Sequence, residues 1–190
     1  LQAEKIAAAL LLSAKHPVIS VNGNTAALAA REIASLQMAS KARVEVNLFH
    51  RTEERVIAIS SLLKDHGVVL VEGEVSRYIP LDHDRGLCHF DGIYSADVIL
   101  FPLEDGDRAQ ALIAMGKMVI AVDLNPLSRT SQAATIPIID EVTRALPNIT
   151  QFCTGLSNTE IPELISTLNG TGFIRDALEY IRKRLLDVLD

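Results

Sequence analysis

The sequence predicts an α/β fold: a Rossmann-like, doubly wound, mainly parallel six-stranded sheet with helices on both faces and further helices at the C-terminus. Three observations carry that expectation. Short apolar runs alternate with amphipathic stretches long enough to be helices. The runs are apolar at consecutive positions, as in strands buried on both faces. Clusters of polar and turn-forming residues follow most of the runs, where open α/β sheets bind ligands.

Taken in order, Ala3, Ile6, Ala7, Leu10 and Ala14 share one helical face, and His16-Pro17 ends that helix. Val18 to Val21 reads as the first strand, and Asn22-Gly23-Asn24 as the turn after it. Thr25 to Met38 is a periodic, alanine-rich helix. Val44 to Leu48 is the second strand. Thr52 caps the next helix, with Glu53 and Glu54 in its first turn, where negative charge suits the helix dipole. That helix turns Val56, Ile59 and Leu63 inward and stops near Gly67.

Val68 to Val71 is the third strand. Glu72 to Asp91 is polar and reads as an insertion or a pair of short edge strands. Val98 to Phe101 is the fourth strand, and the segment from Pro102 to Arg108 opens a helix that Gly116 stops. Met118 to Val122 is the fifth strand. Thr135 to Ile139 is the sixth, placed at an edge by Pro137. Helices follow over Glu141 to Ala145, Glu160 to Leu168 and Phe173 to Leu189. The expected strand order is 3-2-1-4-5-6. No repeat or linker divides the chain, so 1–190 reads as one domain, with 141–190 its C-terminal helical part.

Composition narrows the function classes. With 48% hydrophobic and 22% charged residues in 190, the chain can bury a full core. A net charge of −6 argues against a general nucleic-acid binder. Ile6 to Leu12 is too short to span a bilayer, so no membrane association is expected. No secretory signal is seen. Cys88 and Cys153 form neither CxxC nor a zinc spacing, and a reducing cytoplasm is the simplest compartment. There is no P-loop, no GxGxxG after the first strand and no nucleophile elbow.

The polar residues gather after strands, on one rim. Asp123 and Asn125 can accept hydrogen bonds from a ribose or an adenine amino group, and Arg129 can fork onto a phosphate. The same Asp123-Leu124-Asn125-Pro126 also reads as a plain turn. Asn24, Arg51, Arg55 and Arg108 are candidates for substrate phosphate or pyrophosphate; Arg51 and Arg55 could equally pair with Glu53 and Glu54 on a solvated helix face. Asp105 and Asp107, beside Glu104, could hold Mg²⁺ directly or through water, or serve only as an acidic helix cap. In the last helix, Ile174, Leu178, Ile181, Leu185 and Val188 make a coiled-coil-like seam that could face the domain or a second subunit.

Four motifs in order resemble one family: HPVISVNGN at His16 to Asn24, NLFHRTEER at Asn47 to Arg55, GIYSADVILFPLEDGDR at Gly92 to Arg108, and VIAVDLNPLSRTS at Val119 to Ser131. Together they resemble archaeal phosphopantothenate synthetase, the 4-phosphopantoate–β-alanine ligase, from Leu1 to about Pro147. The resemblance implies a coenzyme A pathway enzyme that adenylates 4-phosphopantoate with Mg-ATP and passes the acyl group to β-alanine. It further implies a Rossmann-like core, a homodimer, and ATP contacts at Asp123, Leu124, Asn125, Arg129, Thr130, Glu141 and Val142. At Glu141 the family pattern has asparagine. The family also has an N-terminal segment, with basic residues that reach ATP, which this sequence does not include. Two other readings are a module that senses a nucleotide without turnover, and a nucleotide-sugar enzyme or oxidoreductase; the missing glycine fingerprint disfavours the second.

Overall fold

The computed structural model describes residues 1–189, with side-chain surroundings through residue 187. Along the chain run α1 (Gln2–Ser13), β1 (Pro17–Val21), α2 (Gly23–Ser40), β2 (Arg43–Val46), α3 (Glu53–Asp65), β3 (Val75–Arg77), β4 (Leu87–His89) and β5 (Val98–Pro102). Then follow α4 (Gly106–Ala114), β6 (Met118–Asp123), α5 (Arg129–Ala133), β7 (Ile136–Ile139), α6 (Val142–Gly155), α7 (Glu160–Ser166) and α8 (Gly170–Leu189).

The central strands form where burial on both faces removes every apolar side chain from water. Ile19, Val21, Leu100, Ile120 and Val122 enter one core; Val18, Ile99, Phe101, Val119 and Ala121 enter the other. Ile6 and Leu10 of α1, Ile33 and Leu36 of α2, and Leu146 and Ile149 of α6 complete the first core. Ala109 and Leu112 of α4 cover the second, together with Ile79, Cys88 and Ile93. Cys88 and Cys153 are buried free thiols, and burial pushes both up to about 12.

The main sheet is parallel, with five strands in the order β2-β1-β5-β6-β7. This corrects the expected six. Val68 to Val71 forms only one isolated parallel bridge, Leu70 to Val44, in which Val71 N donates to Val44 O at 2.9 Å. The reason lies in Gln37: its Nε2 donates to Val69 O at 2.7 Å, and its Oε1 accepts from Val69 N at 2.8 Å. A side-chain amide thus satisfies the backbone groups that a strand ladder would have used.

The polar insertion does contain a short antiparallel pair, β3 with β4. Buried Glu45 of β2 pins the insertion to the sheet. Its Oε1 accepts from His89 N at 3.0 Å and its Oε2 from Ile93 N at 2.7 Å. Burial pushes the Glu45 carboxyl up to about 7 despite these donors and nearby Arg108 and Arg51. Gly92 leaves room for that carboxylate, since a Cβ there would fall 2.0 Å from Glu45 Oε2.

β7 is the edge strand anticipated from Pro137. The helix after it runs past the expected Ala145 to Gly155, through Pro147, because Ile149 and Cys153 continue its buried face. In α8, Ile174 and Leu178 are half-buried, whereas Ile181 and Leu185 are exposed. The anticipated seam is therefore covered only at its N-terminal end, and the side chain of Val188 lies outside the described residues. Among the described residues no helix is long and apolar enough to cross a membrane.

Candidate functional site

β1 and β5 are neighbours, and their following helices leave in opposite senses: α2 toward one core and α4 toward the other. Such a divergence opens a crevice at the carboxyl ends of the strands. Here it is a cleft of about 240 Å³. Asn22, Gly23 and Asn24 line it after β1, Phe49 and His50 after β2, Arg55 from the first turn of α3, Leu103 and Asp105 after β5, and Arg85 from the β3–β4 excursion.

Local hydrogen bonds set this rim. Asn22 caps α2 by accepting from Thr25 N at 2.9 Å, and its Nδ2 donates to Leu103 O at 2.8 Å. Leu103 N donates to Val122 O at 3.0 Å. Held from both sides, Leu103 sits at φ 56°, a left-handed conformation costing a branched residue about 1–3 kcal/mol. The turn sends Glu104 inward and leaves Asp105 at the cleft.

Four charges then form one cluster. Arg85 Nη1 lies 2.7 Å from Glu104 Oε1 and 2.6 Å from Oε2, and also donates to Asn47 O at 3.0 Å. Arg85 Nε donates to Asp105 Oδ2 at 2.7 Å. Arg108 Nη1 approaches Glu104 Oε1 at 3.3 Å and donates to Ser20 Oγ at 3.0 Å. Burial pushes the Glu104 carboxyl up and the Arg108 guanidinium down, while each charge opposes the shift of the other.

Arg108 was expected at the rim with the phosphate-binding arginines. The structure places it elsewhere: the residue is 0% exposed, behind Glu104. Arg51 also departs from the group. Its N donates to Asp84 Oδ2 at 2.8 Å and its Nη1 to Val46 O at 3.2 Å, and it lines a separate hollow with His89. Asn24 and Arg55 do converge on the cleft, and Arg55 Nη1 donates to His50 O at 2.7 Å.

The loop after β6 is both turn and exposed surface. Asp123 Oδ1 accepts from Asn125 N at 3.0 Å, Asp123 Oδ2 accepts from Ser128 Oγ, and Asn125 Oδ1 accepts from Leu127 N at 2.9 Å. Leu124 remains 64% exposed between them. Arg129 is exposed and pairs with Asp107. Thr130 is buried, and its Oγ1 donates to Glu104 O at 2.7 Å. Gly106 permits the approach of α4 to α5, because a Cβ there would fall 2.5 Å from Arg129 Cβ. After β7, Glu141 caps α6 by accepting from Thr143 N at 2.9 Å; its hydrogen bonds to the Thr143 hydroxyl and backbone hold its carboxyl below the usual range. Val142 is buried.

The two metal candidates thus each carry a guanidinium partner, Asp105 with Arg85 and Asp107 with Arg129. Among the described residues no group of three or more His, Cys, Asp or Glu side chains is placed to hold a metal ion. Sequence reasoning missed Arg85, the left-handed Leu103, and the Phe49–His83 stack with ring centroids 4.6 Å apart. The only sign of Arg85 was an arginine amid the turn-forming residues of the insertion.

Residues 1–184 match the phosphopantothenate/pantothenate synthetase family. A 4-phosphopantoate–β-alanine ligase of Methanospirillum hungatei is 79% identical over 190 residues, covering 100% of this chain and 78% of the relative. The ligase of the same name from Methanosarcina mazei is 48% identical over 97% of this chain and 75% of its own. That from Thermococcus kodakarensis is 43% identical over 97% and 73%.

Proposed function

We propose a function from one premise: the chain belongs to the phosphopantothenate/pantothenate synthetase family. It is a ligase of coenzyme A biosynthesis that joins 4-phosphopantoate to β-alanine, giving 4′-phosphopantothenate. ATP is the co-substrate. The observation that carries this reading is the 79% identity to a relative of that name across the whole of this chain.

In the mechanism we propose, a carboxylate oxygen of 4-phosphopantoate attacks the α-phosphorus of ATP, and the bond to pyrophosphate breaks. The β-alanine amine then attacks the acyl carbon, AMP leaves, and the amine nitrogen loses a proton. The first step brings two anions together, so fixed positive charge at the strand ends lowers its barrier. Arg55 and Arg85 in the cleft, and Arg129 on the same rim, support that role. Asn24 suits the substrate side of the cleft.

We assign ATP to Asp123, Leu124, Asn125, Arg129, Thr130, Glu141 and Val142. Exposed Leu124 offers an apolar surface to a purine beside two hydrogen-bonding side chains. Thr130 and Val142 are buried, so they would contribute backbone groups. Mg²⁺ would screen the phosphates when bound with the nucleotide. Asp105 and Asp107 each keep one oxygen outside their arginine pairs, which suits a single or water-mediated contact.

We further read 1–190 as one Rossmann-like, doubly wound ligase domain, in which the Leu70–Val44 bridge is the remnant of a third strand beside β2. We read the protein as a cytoplasmic homodimer. Exposed Tyr180, Ile181, Leu185 and Leu186 on α8 support association there.

The test is product analysis by mass, with the full-length protein, Mg-ATP, 4-phosphopantoate and β-alanine. AMP and 4′-phosphopantothenate are expected in equal amounts. ADP in place of AMP would refute the adenylate route. No product from a folded, ATP-binding protein would refute the ligase reading.

A further inference from the structure

We propose that Arg85 is the cleft residue that recognises a substrate phosphoryl group. The inference rests on the ligase reading and deepens it.

Arg85 is 6% exposed, yet it lines the cleft. Its other donors are already committed: Nε to Asp105 Oδ2 at 2.7 Å, and Nη1 to Glu104 and to Asn47 O at 3.0 Å. No acceptor among the described residues takes Nη2. That nitrogen also differs from Nη2 of Arg108, which is sealed in the core without a partner. A guanidinium held on its other sides has lost its rotamer freedom before the ligand arrives, so capture costs little further ordering.

The charges favour an anion. Glu104 orients Arg85, and Arg108 behind it cancels the carboxylate that would otherwise neutralise the site. Asp105 balances one further charge, and Arg55, which also lines the cleft, leaves its lining net positive. Two guanidiniums lining so small a cleft suit a phosphoryl dianion better than a carboxylate. Both 4-phosphopantoate and ATP carry phosphoryl groups. Arg108, expected at the ligand, acts instead as a positioning residue through Glu104.

The experiment compares wild type, Arg85→Lys and Asp105→Asn. For each, kcat/KM is measured with 4-phosphopantoate and with unphosphorylated pantoate, along with KM for ATP. The ratio of the two acids on one preparation does not depend on the fraction folded. Arg85→Lys should lower that ratio roughly tenfold or more, because the fork of donors is lost while the charge stays. Asp105→Asn, which leaves the Glu104 pair intact, should lower it less. A roughly tenfold rise in KM for ATP with the ratio unchanged assigns the phosphoryl group to the nucleotide and also supports the proposal. Wild-type values for both quantities in Arg85→Lys overturn it. If wild type turns over neither acid, the ligase reading fails by itself. Arg85 is then tested by inorganic pyrophosphate, which should raise the melting temperature of wild type but not of Arg85→Lys; equal shifts overturn the assignment.

Discussion

Glu45 makes the stability of this protein depend on pH in an unusual direction. Its carboxyl is buried and is pushed from the ordinary 4.5 up to about 7, chiefly by loss of water. Between those two values the folded state holds a proton that the unfolded state has released. Stability from this group is therefore fully present below pH 4.5 and is lost as pH rises through 7. The gap corresponds to about 3 kcal/mol, at about 1.4 kcal/mol per pH unit. Glu45→Gln cannot ionise and should remove the pH dependence; its amide nitrogen cannot accept from one of the two backbone N–H groups, a cost that stays constant with pH. Urea unfolding of both proteins from pH 5 to pH 8.5 isolates it, since other titrating groups cancel in the difference. Wild type should lose about 3 kcal/mol relative to Glu45→Gln across that range. A flat difference, or one of opposite sign, would show that the His89 and Ile93 amides hold the carboxylate ionised against its burial, and would refute the reasoning.

Three further outcomes follow from the structure. Gly106→Ala should destabilise by about 1–3 kcal/mol in thermal unfolding, because the new Cβ meets Arg129 Cβ and the backbone at Thr130. Gln37→Ala should cost about 1–2 kcal/mol, and hydrogen exchange should accelerate at Val69 while core strands such as β5 stay protected. Arg129→Ala should change stability by less than about 0.5 kcal/mol, since its pair with Asp107 is exposed, yet it should lower ligase activity roughly tenfold or more in a steady-state assay.

The strands were legible because burial on both faces leaves a direct mark: Val98 to Phe101 and Val119 to Val122 can be little else. Thr52 and Pro137 were legible because cap and edge chemistry are local. The third strand was not, because its fate is decided by Gln37, 32 positions away in sequence from Val69. The burial of Arg108 was hidden for a related reason. Its place in a polar loop suggests the surface, but left-handed Leu103 turns the next residues inward, and Glu104 and Ser20 receive it there. Arg85 was hidden because an irregular excursion carries it to the rim, and no periodicity marks such a path. The rim as a place was readable from the sequence; which arginines occupy it depended on long-range contacts.

The Gln37 clamp on Val69 also bears on what the edges of the sheet offer to another chain. An open sheet exposes two lateral edges, each a template for another chain's backbone. On the β2 side, a side-chain amide and the single Leu70 bridge already occupy the hydrogen-bonding groups nearby. On the β7 side, Pro137 lacks a donor, and the first turn of α8 presses so close that a Cβ on Gly170 would lie 2.7 Å from Thr135 O. Lateral growth of the sheet is thus obstructed at both ends, which guards a core rich in β-formers against runaway edge-to-edge polymerisation.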